Sequence, residues 1–123
     1  MKSRGFTLIE LLAVFVVIGI LAAIAIPKFW AVREKAIIST MKGDLHNVRY
    51  AQEVYNIEPD GEYATDLSQL EDTFTPSEDV TITLTGDGVD YDAEASHPGT
   101  TVVCRYSTTD NILTCEEPGE TKK

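Results

Sequence analysis

Residues 5–30 read GFTLIELLAVFVVIGILAAIAIPKFW, and the fold follows from how this stretch is understood. From Phe6 to Ile26 the only charged side chain is Glu10, and from Leu11 to Ile26 the run is unbroken and apolar. Twenty-one residues at 1.5 Å per residue make roughly 31 Å of helix, close to the hydrocarbon thickness of a bilayer. Pro27 then removes a backbone donor, and Lys28, Phe29 and Trp30 supply the charge and aromatic rings suited to a membrane interface. An ordinary secretory signal is the competing reading, because Lys2 and Arg4 precede the run and Ala23-Ile24-Ala25 fits a small-residue cleavage pattern. Glu10 weighs against it. A carboxylate inside a bilayer costs several kcal/mol on insertion scales and ordinarily marks a function or a partner.

Working outward, Ile37, Met41, Leu45, Val48, Ala51 and Tyr55 recur at three- and four-residue steps, the stripe of an amphipathic helix. Lys35, Lys42, Asp44, His46, Arg49 and Glu53 are assigned to its other side, mostly a solvated face or a contact to neighbouring subunits. Pro59-Asp60-Gly61 is turn chemistry, so the helix is expected to stop between Asn56 and Glu58. A connecting segment follows, with Thr65 or Asp66 placed to cap a short turn through Leu67–Leu70. The period then becomes two. Val80, Ile82 and Leu84 alternate with threonines, and Val89, Tyr91, Ala93 and Ala95 are expected on one face with Asp90, Asp92 and Glu94 on the other. With 101–107 and 112–116, four short antiparallel strands result.

The two cysteines, Cys104 and Cys115, are symmetric about the turn between Thr109 and Asp110, which sets them opposite each other in a hairpin, with Val102, Tyr106 and Leu113 on their face. A disulfide is the better reading of this pair, and it implies an oxidising compartment; two free thiols are the alternative. Ten Lys and Arg against 20 Asp and Glu give a net charge of −10, and removing Lys2 and Arg4 with a leader makes it −12. Such a surface repels phosphate backbones, so no nucleic acid partner is expected. No Ser-His-Asp arrangement, metal triad, phosphate loop or paired carboxylate pocket is visible, which argues against an enzyme and against a cofactor. His46 has no convergent partner. Asp87, Asp90, Asp92 and Glu94 invite a calcium reading, but their spacing is not that of an EF-hand loop, and a solvated strand face explains them more simply.

Gly5-Phe6-Thr7-Leu8-Ile9-Glu10, followed by an apolar helix and Pro27, resembles the N-terminus of type IV pilins and type II secretion pseudopilins. The likeness is close over about the first 30 residues and loose beyond them. It implies an α+β pilin fold, in which a long N-terminal helix has an apolar half protruding and an amphipathic half packed on a small antiparallel sheet. The implied organisation is a leader at 1–5, a membrane or filament-core helix at 6–27, its amphipathic continuation at 28–57, a loop at 58–79, the sheet with its disulfide hairpin at 80–118 and a tail at 119–123.

By the same resemblance, a prepilin peptidase cuts after Gly5, and Phe6 becomes an N-methylated terminus. Identical subunits, an assembly ATPase with its platform and the inner membrane are the other implied partners. Glu10 is expected to meet the new amine on Phe6 of a neighbour and so fix register, as one buried polar residue does in other helix assemblies. A bond to its own Phe6 amine, one turn away, is the alternative. Gly19 and Pro27 are expected to be weak points of the helix. Positive charge flanks both ends of the apolar run, so an external C-terminal domain follows from the resemblance and the disulfide rather than from charge.

Overall fold

A computed structural model describes residues 4–57 and 59–119. The expected leader residues 1–3, the proposed helix limit at Glu58 and the tail at 120–123 lie outside the described residues. One α-helix, α1 (Leu8–Asn56), is followed by a single 3₁₀ turn (Leu67–Leu70) and four strands, β1 (Thr81–Gly86), β2 (Tyr91–Ser96), β3 (Val103–Ser107) and β4 (Ile112–Glu116). The strands pair antiparallel in the order β1-β2-β3-β4, an open meander. The fold is therefore α+β, with a long N-terminal helix and a small antiparallel sheet. By contact the chain divides into two units, one ending at Arg33 and one beginning at Glu34.

In the first unit the helix presents its apolar side chains outward all round, as a segment needs when its solvent is lipid or other helices. Pro27 lies inside α1 without ending it. Its missing N–H leaves the Ala23 carbonyl without its helical donor.

In the second unit the amphipathic part of α1 is the wall on which the sheet is built. Met41, Leu45, Val48 and Ala51 are buried, with Ile37 and Tyr55 packed at the edges of the cluster. From the sheet come Ile82 and Leu84, then Tyr91, Ala93 and Ala95, then Cys104 and Tyr106, every second residue of each strand. Leu113 and Cys115 of β4 pack against this cluster. The expected alternation fails at Val89, which is 74 % exposed. It belongs to the β1–β2 turn rather than to β2, because the Asp87 carboxylate accepts the N–H groups of Val89 and Asp90 (3.0 and 2.9 Å) and winds the chain into a turn. Those two bonds also hold the Asp87 carboxyl below the usual aspartate range.

Three polar contacts tie loops to the helix. The Gln52 side chain donates to the Ala64 carbonyl (2.9 Å) and accepts the Ala64 N–H (2.8 Å), pairing with that backbone as a neighbouring strand would. Asp44 accepts the N–H and the hydroxyl of Ser77, both at 2.8 Å. Glu34 accepts the hydroxyl of Thr100 (2.8 Å) in the β2–β3 loop. Asp44 is thus 3 % exposed rather than solvated, a correction to the sequence expectation. Its burial is tolerable because both oxygens are satisfied. Between the first two contacts, Asp66 caps the 3₁₀ turn and Gln69 completes a capping box. The bonds from Ser68 depress the Asp66 pKa, so this cap is intact above the ordinary aspartate pKa and is lost as pH falls through the depressed value.

Beneath the sheet Tyr63, Tyr91 and Tyr106 stack edge-on and tilted, with centroids 5.1 and 5.8 Å apart. Burial raises the Tyr91 phenol well above its ordinary pKa, and its hydroxyl finds no hydrogen-bond partner among the described residues. Cys104 and Cys115 are cross-strand partners and form a disulfide.

These contacts generate three expected outcomes for thermal unfolding of the full chain in detergent. Gln52→Leu strands two buried backbone groups and should cost about 2–6 kcal/mol, at 1–3 for each. Tyr91→Phe removes an unpaired hydroxyl and should be neutral or stabilising by about 1 kcal/mol; a loss of that size would show that the hydroxyl is bonded after all. Cys104→Ser opens a loop of about 12 residues worth a little under 3 kcal/mol, so the transition should fall by more than about 10 °C, and an unchanged transition would discount the bridge.

Candidate functional site

The chemistry-bearing residues of the N-terminal unit gather at the start of α1. Gly5 and Phe6 are exposed, Phe6 at 86 %, ahead of the first helical residue, Leu8. Thr7 stands at the N-cap. Its hydroxyl accepts the Glu10 N–H (3.3 Å), and Glu10 Oε2 accepts both the Thr7 N–H and the Thr7 hydroxyl (each 2.9 Å). This is a capping box, with Thr at N-cap and Glu at N3, and the carboxylate also lies where the helix dipole favours negative charge. Oε2 takes both bonds, and Oε1 has no partner among the described residues.

The sequence expectation gives Glu10 an amine as its partner and leaves out its local bonds to Thr7, although T-x-x-E before an apolar run is the signature of a capping box. The Thr7 N–H that Glu10 accepts belongs to the Phe6–Thr7 peptide bond, one peptide bond downstream of Gly5–Phe6.

Behind the cap, Leu11, Phe15, Ile18, Ile24 and their neighbours are more than half exposed, and a Cβ built on Gly19 would meet nothing within 4 Å. Gly19 and Pro27 both lie within continuous α-helix, so this structure contains both features expected to weaken it but no break at either. The cysteine pair belongs to the second unit, in the β3–β4 hairpin. The four acidic residues considered for calcium are engaged separately. Asp87 closes its turn, Asp90 accepts the Thr108 hydroxyl (2.9 Å), Glu94 pairs with Arg105 (2.7 Å), and Asp92 points outward from β2.

The described arrangement brings together the Gly5–Phe6 bond, a capped carboxylate and a long apolar helix.

Comparison with known proteins agrees with this division. Residues 1–26 match the prokaryotic N-terminal methylation motif. The chain is 46 % identical over 59 residues to the type IV major pilin protein PilA of Myxococcus xanthus, covering 48 % of this chain and 27 % of that one. It is 42 % identical over 57 residues to the type IV wide pilus major component PilA4 of Thermus thermophilus, covering 46 % and 44 %. It is 37 % identical over 57 residues to the type II secretion system core protein G of Pseudomonas aeruginosa, covering 46 % and 40 %. The chain thus spans less than half the length of each of these three relatives. With the methylation motif at its N-terminus and a long helix and antiparallel sheet behind it, the chain is similar to type IV pilins and type II secretion pseudopilins over about half of its length.

Proposed function

We propose that this chain is a structural subunit of a type IV pilus, a filament building block rather than an enzyme. The observation that carries the reading is the Gly5–Phe6 bond, set immediately before a capped carboxylate and an apolar helix. In this reading the precursor sits in the inner membrane with the disulfide-bonded domain outside the cytoplasm. A prepilin peptidase removes residues 1–5 and the Phe6 amine is methylated. An assembly ATPase and its platform then drive the helix out of the bilayer into a homopolymer at the cell surface.

Glu10 has a physical part in that transfer. In the bilayer its Oε2 is held by Thr7, which lowers the cost of carrying a carboxylate near the headgroups. In the filament its free Oε1 faces the need of a second group, the ammonium on Phe6 of an adjacent subunit. An ion pair buried among apolar helices stabilises little by itself, but every other axial register leaves the charges apart, so the pair selects one register. A type II secretion pseudopilin shares this chemistry, and the similarity to core protein G keeps that as the second reading.

Two measurements test the proposal. Mass spectrometry of the mature protein should find an N-methylated Phe6 terminus, whereas a start at Ile26 would make the apolar run a disposable signal. Electron microscopy of sheared cell-surface material should show filaments that disappear on deletion; their persistence, together with a secretion defect, would favour the pseudopilin. Glu10→Leu should leave processing intact but lower filament yield by roughly tenfold or more, since breaking a buried charge pair costs about 3–5 kcal/mol. Normal yield would remove Glu10 from assembly.

A further inference from the structure

Charge is distributed very unevenly along this chain. From residue 57 to residue 119 there are 15 Asp and Glu and one cation, Arg105. Arg105 is already committed, to Glu94 at 2.7 Å. Four of the five Lys and Arg residues of the helix, Lys28, Lys35, Lys42 and Arg49, fall seven residues apart, and Arg33 is the fifth. Within the second unit this spacing puts Lys35, Lys42 and Arg49 on one side of α1, beside the buried stripe, at steps of about 10 Å. Arg49 is engaged over the Tyr106 ring at 5.4 Å. Lys35 and Lys42 are exposed and make no ion pair among the described residues.

The same unit contains a cleft that suits such a side chain. It lies where the end of α1 meets the loop that follows, has a volume of about 510 Å³, and is lined by Tyr55, Tyr63, Asp60, Glu62 and Asp72. None of these three carboxylates has a cation partner among the described residues. Two tyrosine rings offer a surface for an aliphatic stem, and the acids receive the ammonium at its end, the arrangement in which a lysine is held best. Lys42 does not reach this cleft in its own chain. Thirteen residues of helix separate it from Tyr55, about 20 Å, and Lys35 is farther still.

We propose that the Lys35–Lys42 side of α1 is an interface between copies of this chain, docking into the acidic Asp60–Glu62–Asp72 cleft of a second copy. The proposal rests on the filament reading above and adds a second contact to it, in the globular layer rather than among the apolar helices. Each chain carries one basic and one acidic half of the contact, so the interaction is head-to-tail and propagates instead of closing into a dimer. Being exposed, the pairs contribute mainly partner choice and register, and they weaken with salt.

A zero-length carbodiimide, which joins an ammonium to a carboxylate only where they touch, tests this on wild-type filaments. Peptides linking Lys35 or Lys42 to Asp60, Glu62 or Asp72 are expected, and distance within one chain means such links join two subunits. In cells, the Lys35→Glu/Lys42→Glu chain should accumulate normally in the membrane with its disulfide formed, yet give at least roughly tenfold fewer filaments. Adding Asp60→Lys, Glu62→Lys and Asp72→Lys to that chain should restore them. Filaments without these cross-links, unchanged yield from the double variant, or a combined variant no better than the double one would each overturn the interface while leaving the filament reading intact. Absence of any wild-type filament would overturn both.

Discussion

The sheet has one apolar face and needs a wall to bury it against. Ile82, Leu84, Tyr91, Ala93, Ala95, Cys104 and Tyr106 all point to the same side, and Met41, Leu45, Val48 and Ala51 of the helix meet them. A four-stranded meander of about 40 residues is too small to enclose a core of its own, so its stability depends on the helix and on the covalent bridge across β3 and β4. The Glu34, Asp44 and Gln52 contacts follow from the same need. Each uses a polar group on the helix to satisfy backbone or hydroxyl groups in loops that the packing brings close.

This dependence gives one helix two kinds of surface. Its second part is striped because it has a sheet on one side and water on the other. Its first part is apolar on every side, a surface that both a bilayer and a bundle of helices satisfy. A single carboxylate at the head of that apolar segment is tolerable because a local cap holds it. The charge pattern of the globular unit divides in a similar way, with Lys35 and Lys42 exposed on the helix and Asp60, Glu62 and Asp72 on the loop that follows, none of them in an ion pair among the described residues.

Much of this was legible in the residues. Continuous apolarity, the three- and four-residue stripe, the turn at Pro59-Asp60-Gly61 and the alternation from Ile82 onward are periodic signals, and elements read from them appear in the structure. The disulfide was legible too, because Cys104 and Cys115 are equidistant from a turn and a hairpin pairs equidistant residues. What went unread was local or distant. Thr7 and Glu10 carry the four-residue signature of a capping box, a signal shorter than any period. Val89 looked like strand because it is β-branched and correctly spaced, but the Asp87 side chain captured the backbone first. Asp44 and Gln52 had no signal at all. Each sits beside the apolar stripe with the polarity of a solvated residue, and its partner lies 33 or 12 positions away.

The sequence by itself determined the segment that must leave water, the carboxylate that must be compensated and the alternation that makes a one-faced sheet, because each depends on neighbours within a turn or a strand. Tertiary packing alone set which polar side chains are buried and what they hold, that Glu10 is shared with Thr7 through one oxygen, and that a tyrosine-walled acidic cleft lies beyond reach of Lys35 and Lys42 of its own chain. The physical reason is that burial and pairing are properties of surfaces brought together by folding, and residue type records only what each of them costs when left alone.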